Sequence, residues 1–209
     1  MNLHRTVLIA AAAGLAAPAT ADFETDFGVA WDGVGQLQVE FNFGSIEPIS
    51  NFIAGGGLNG DFTGFFSDEP GFANFEEDEP LEDLFVVPDG TVVGFQLVSA
   101  DAAFVVYDLT FDSIVNPGDT IELGAVLRDG TGAVTLGFDD HPWWTVDTTD
   151  PSYDPSVTAY SMTFRLVDLR TDGNAIAATD DITVSFPIPA PGSAALLGLA
   201  GLAAARRRR

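Results

Sequence analysis

The chain contains no cysteine. That excludes disulfides, thiol catalysis, iron–sulfur clusters and thiolate zinc sites. Stability is left to core packing and to any bound ions. Lysine is also absent, and between residues 22 and 188 the only basic side chains are Arg128, Arg165 and Arg170. All 31 acidic residues lie in that same stretch, so three positive charges against 31 negative ones leave a net charge of −28. Nucleic acid and anionic lipid need cationic patches and are poor partners for such a body. Bound cations, cationic proteins or a salty medium suit it better; the plain alternative is solubility through self-repulsion. Histidine is nearly missing too: His141 is the only one after residue 21. The body has no long segment of helical period, and the Gly-x-Ser-x-Gly elbow is absent.

The ends read differently from the body. Met1 to Arg5 is a short segment with one fixed positive charge, followed by an apolar run from Val7 to Ala17. Pro18 and the small triplet Ala19-Thr20-Ala21 come next. This is the layout of a secretory signal peptide, with cleavage expected after Ala21 and a mature chain starting at Asp22. The run is too short to span a bilayer as a mature helix.

At the other end Pro187, Pro189 and Pro191 interrupt any regular element. An uncharged run from Ser193 to Ala205 follows, and Arg206, Arg207, Arg208 and Arg209 close the chain. Basic residues after an apolar run mark the cytoplasmic end of a membrane segment. The run is short of the roughly 20 residues of a full span. Insertion would need local thinning of the bilayer and snorkelling arginines; a transient handle for a processing enzyme is the other reading.

The order Pro189-Ala190-Pro191, apolar helix, arginine cluster resembles the PEP-CTERM sorting signal, with alanine where that family has glutamate. The resemblance covers about the last 21 residues. It implies recognition by exosortase, a membrane-embedded transpeptidase-like enzyme, in Gram-negative bacteria that make extracellular polysaccharide. The expected organisation is a signal peptide at 1–21, an acidic domain at 22–188 and a sorting or anchoring tail at 189–209.

Between the ends the pattern is that of strands. Gln36 to Phe43 alternates polar and apolar, as a half-buried strand does. Thr91–Val98 and Ala102–Leu109 are strand candidates whose short link, Ser99-Ala100-Asp101, suggests a hairpin. Asn116-Pro117-Gly118-Asp119 has turn chemistry and leads into Thr120–Leu127. The stretch 128–132 turns again, and Ala133–Phe138 returns. Ala159–Leu169 places Met162, Phe164 and Leu166 on one face, and Ile182–Ile188 closes the body. Eight to ten strands with Gly, Asp and Pro turns predict an all-β fold, an antiparallel β-sandwich of jelly-roll or immunoglobulin-like type. Residues 55–80, rich in glycine and phenylalanine, read as a long ordered loop with a helical turn near Ala73.

Four acidic groups are candidates for chemistry. They are Asp68 to Asp83, Asp139-Asp140 with His141, the set Asp147, Asp150 and Asp154, and Asp180-Asp181. Calcium takes six to eight oxygen ligands and is the ion such loops would hold, although none has EF-hand spacing. Asp139, Asp140 and His141 are the one place where imidazole meets carboxylates, a thin donor set for a transition metal. Trp143 and Trp144 beside them could stack on sugar rings; core packing of at least one is the alternative. With 31 acidic residues no carboxylate pair can be singled out as a glycosidase pair.

Three stretches of the body also resemble a family of exported PEP-CTERM proteins repressed by the zinc-uptake regulator. They are Phe65 to Phe72, Asp139 to Trp144 and Thr163 to Asp168. That resemblance implies an extracellular role tied to zinc shortage, while the single His141 carries little zinc coordination across. The expectation is a non-catalytic exported protein of the surface or matrix. The alternative is a module that binds a divalent metal or carbohydrate, such as extracellular polysaccharide.

Overall fold

The computed structural model describes residues 26–41, 45–56 and 62–189. The expected signal peptide, with Ala19 and Ala21, lies outside the described residues. So does the apolar tail, with Ala190, Pro191 and the four arginines. Among the described residues every regular element is a strand, and no helix is long and apolar enough to cross a membrane.

The chain runs through β1 (Phe27–Trp31), β2 (Leu37–Phe41), β3 (Asn51–Gly56), β4 (Phe62–Ser67) and β5 (Phe72–Asn74). The long β6 (Thr91–Ala100) follows, then β7 (Phe104–Tyr107), β8 (Ile114–Val115), β9 (Thr120–Arg128) and β10 (Val134–Leu136). The last four are β11 (Asp139–Asp140), β12 (Trp143–Asp147), β13 (Ala159–Asp168) and β14 (Ile182–Pro187). They form three sheets, in the orders β11-β5-β1-β2, β10-β9-β6-β13-β14 and β3-β4-β12-β7-β8.

The all-β class agrees with the sequence pattern. On β13 the alternation buries Tyr160, Met162, Phe164 and Leu166 and leaves the residues between them partly exposed, the period-two signature of a sheet with one covered face. The turn at Asn116 forms as expected, with the Asp119 N–H donating to the Asn116 carbonyl at 2.9 Å.

Three expectations are corrected. The segment after Thr91 does not form a hairpin, because β6 and β7 belong to different sheets. The link between them is pinned to β13: the Asp101 N–H donates to the Ser161 carbonyl (2.9 Å) and the Asp101 carboxylate accepts from the Ser161 N–H (2.7 Å). Those bonds hold the link to the sheet of β6. The turn closed by the Phe104 N–H on the Asp101 carbonyl (2.8 Å) and the bond from the Asp147 N–H to the Ala103 carbonyl (3.0 Å) then take the chain into the sheet of β7. The glycine- and phenylalanine-rich region is not one long loop. It contains β4 and β5, and Ala73 lies in β5 rather than in a helical turn. Burial explains the outcome, since Phe72 and Asn74 alternate inward around a half-exposed Ala73. Finally, the pairing is not wholly antiparallel: β5 runs parallel to β1, with Phe72 opposite Phe27.

One aromatic lattice joins the three sheets. Phe27 and Phe72 of the first sheet meet Phe164 of the second at 5.6 and 5.4 Å between ring centres. Phe95 stacks on Phe164 at 5.4 Å and lies 5.9 Å from Trp144 of the third sheet. Trp144 continues to Phe186 at 5.3 Å. Phe27, Phe72, Phe95, Phe164, Trp144 and Phe186 are all wholly buried. Burial of each such ring contributes about 2–3 kcal/mol, and the edge-to-face and tilted contacts add to it. This is where a chain without disulfides finds its stability.

Candidate functional site

Many of the acidic residues serve as turn formers. In five places an aspartate is followed two residues later by Thr or Ser, and its carboxylate accepts from that residue's N–H: Asp108 with Thr110, Asp129 with Thr131, Asp147 with Thr149, Asp150 with Ser152 and Asp154 with Ser156. The hydroxyl donates to the same oxygen in each case. Such side-chain bonds replace the backbone partners that a turn leaves without a ladder. They favour the charged form. Bonds from Thr131, Ser152 and Ser156 hold Asp129, Asp150 and Asp154 below the usual carboxylate range. The third acidic group, Asp147, Asp150 and Asp154, is therefore spent on three consecutive turns. In the fourth group, Asp181 pairs with Arg165 at 2.9 Å.

Asp139 and Asp140 form the two-residue strand β11, antiparallel to β5. Neighbouring strand residues point to opposite faces, so the pair does not converge on one point. Asp139 meets His141 instead, with Oδ1 3.0 Å from Nε2. The other ring nitrogen, Nδ1, lies 2.9 Å from the Asp68 carbonyl, which can only accept. Both nitrogens thus face acceptors, an arrangement completed when the ring is doubly protonated. Burial alone would lower the His141 pKa. The bonds to Asp68 and Asp139, together with the charges of Glu69 and Asp26, outweigh it and raise the pKa. Asp140 is also raised, by burial and then by the charge of Asp139.

The ring sits flat enough on Gly71 that a β-carbon there would lie 2.6 Å from its atoms; a residue without a side chain is required. The N–H of Gly71 donates to Asp26 at 2.7 Å. Through these contacts Asp26, Glu69 and His141 place ligand atoms within 4.8 Å of one another. The sequence places Asp139 and His141 together. It hides Asp26, which lies far away in the chain and reaches the ring only because β1 and β5 pair. A second convergence, Glu40 with Glu79 and Glu82, is hidden by the same kind of separation. There Glu40 is raised by burial and then by the two neighbouring charges.

The two tryptophans have different fates. Trp144 is wholly buried, and its indole N–H donates to the Pro70 carbonyl at 2.8 Å. Trp143 points to the other face of β12, opposite Tyr107, and is half-buried. On that outer face it lies 6.1 Å from Phe66 and 4.9 Å from Phe111, and Phe111 lies 4.6 Å from Tyr107. Phe62 closes the row against Tyr107 at 6.4 Å.

Phe111 has a φ of 60°. A large side chain in this left-handed region costs about 1–2 kcal/mol. The loop that imposes it is built on Asp108, whose Oδ1 accepts from the N–H groups of Thr110 and Asp112 while its carbonyl accepts from the Phe111 N–H. Asp147 lies on the same face of β12 as Trp143 by alternation. Burial, and after it the charge of Asp147, raises the pKa of the Tyr107 hydroxyl. Sequence reasoning finds Trp143 but misses Phe66, Tyr107 and Phe111, since nothing in their spacing shows three elements meeting.

No protein-family model matches this chain, and comparison with curated proteins and with solved structures gives no match.

Proposed function

We propose that this is a non-catalytic, exported β-sandwich protein of the cell surface or extracellular matrix, sorted through its PEP-CTERM-like tail by an exosortase-like enzyme. The observation that carries the reading is the pairing of a signal-peptide layout with the Pro189-Ala190-Pro191, apolar and Arg206–Arg209 series around an acidic, cysteine-free body. The use of aspartates as turn formers supports it, because the acidity then serves folding and solubility outside the cell without requiring catalysis. The layering proposed is a jelly-roll or immunoglobulin-like sandwich. Its packed pair is the β10-β9-β6-β13-β14 and β3-β4-β12-β7-β8 sheets, and the third sheet closes one side. Fractionation of the producing cells with mass spectrometry of the product tests the reading. The expected product starts at Asp22 and is found in the membrane or outside the cell. A cytoplasmic chain that retains Met1 would sink it.

A second reading has its own observation, the convergence of Asp26, Glu69 and His141. A divalent cation held there would take one nitrogen and two carboxylates and would displace the proton that Nδ1 now shares with Asp68. Three donors with one nitrogen make a thin set for zinc and an oxygen-poor one for calcium. Calorimetry with each ion, on the wild-type chain and on His141→Ala, separates this from the structural role. Binding lost in the variant favours the cation, and silence with both ions favours the structural role.

A further inference from the structure

The outer face of the β3-β4-β12-β7-β8 sheet carries a row of aromatic rings that the surface role does not use. Phe66, Trp143, Phe111 and Tyr107 follow one another at ring-centre distances of 6.1, 4.9 and 4.6 Å. All four residues are half-buried. Three different segments supply them. One, Phe111, takes up an unfavourable backbone conformation to bring its ring between Tyr107 and Trp143. Strained residues of this kind gather at binding sites more often than in plain surface loops.

We infer that this strip binds an uncharged glycan. Its chemistry suits an amphipathic ligand ring: partly exposed aromatic residues for the C–H face of a pyranose, and the Tyr107 hydroxyl for its hydroxyls. Charge narrows the occupant further. A body with 31 acidic and three basic residues repels uronate or sulfated polymers, anionic lipid and a second copy of itself. The strip uses no residue of the Asp26, Glu69 and His141 set and none of the sorting tail, so its failure would leave both readings above untouched.

The test is calorimetric titration of the full chain with cellohexaose and maltohexaose, with polygalacturonate and an arginine-rich peptide as contrasts. Saturable binding to at least one neutral hexasaccharide is expected, at an affinity that does not change between low and high salt. Trp143→Ala should weaken it about tenfold, the loss of one good stacking contact. Phe111→Gly is the sharper variant, because glycine accepts the φ of this position and the chain should keep its melting temperature. It too should weaken binding about tenfold. Three outcomes overturn the inference: no heat with either neutral sugar, sugar binding unchanged in Phe111→Gly, or saturation only by the arginine-rich peptide with affinity lost in salt.

Discussion

Trp143 and Trp144 are consecutive residues of one strand, yet they belong to two aromatic systems with different physics. Trp144 faces inward, touches Phe72, Phe95 and Phe186, and has its one polar atom bonded to Pro70. Trp143 faces outward into a row whose members keep part of their surface in water. The inner lattice spans all three sheets, and removing one ring would leave a hole that no neighbour can fill. The outer row rests on a single sheet, where solvent can take the place of a lost ring. The pleat of one strand thus separates rings that hold the fold together from rings available for contact.

The comparison can be broken by substitution. The largest effect is expected from Trp144→Ala, which should cost about 4 kcal/mol in chemical denaturation. A loss under about 1 kcal/mol, the scale of a surface change, would show that the lattice is not the common core. Gly64→Ala comes next. A β-carbon at Gly64 runs into the Val146 carbonyl on the neighbouring strand, so the β4–β12 ladder must shift, at about 2 kcal/mol. Asp168→Ala should cost about 1–3 kcal/mol. Its carboxylate has no exposed surface and accepts from Arg170 and from the Ile176 N–H.

The same group contributes to a pH dependence. Burial opposes the charge on Asp168, but the bonds from Arg170 and Ile176 prevail and lower its pKa, and turn bonds lower Asp129, Asp150 and Asp154. Folded values below the unfolded one of about 3.9 mean that this stability is present above that pH. It is lost as pH falls through the folded values. Thermal melts should hold their midpoint near neutrality on this account and fall steeply below about pH 4; Asp168→Ala should make that fall shallower. The smallest stability effect is expected on the outer row. Trp143→Ala should cost no more than about 1 kcal/mol. In Phe111→Gly the relief of backbone strain offsets the lost ring contacts to within about 1 kcal/mol.

The strands that alternate cleanly were legible from the sequence. β13 and β6 could be drawn from the spacing of Met162, Phe164 and Leu166, or of Val93, Phe95 and Leu97. What the spacing could not show is where a strand goes next. The link Ser99-Ala100-Asp101 suggests a hairpin, whereas the Asp101–Phe104 turn and the bond from the Asp147 N–H to the Ala103 carbonyl take the chain into another sheet. β5 was hidden because three residues are too few to display a period, and its parallel partner β1 lies over 40 residues earlier in the chain. The candidate site divides the same way. Asp139 and His141 are two residues apart and could be found together. Asp26 and Glu69 approach the ring through strand pairing, and Phe111 joins Trp143 through a backbone conformation that no side-chain pattern announces.

The strand β11 matters for what happens between molecules. It forms the outermost strand of its sheet and consists of two aspartates and nothing else. An incoming strand from another chain would have to line up its backbone beside two carboxylates, on a body that already repels its own copies. Asp139 and Asp140 therefore act as a stop to lateral growth, whatever else they bind. Replacing both with valine would leave the fold its partners on β5 while giving the sheet an open, apolar border, from which fibrous polymers should grow at concentrations where the natural chain stays dispersed.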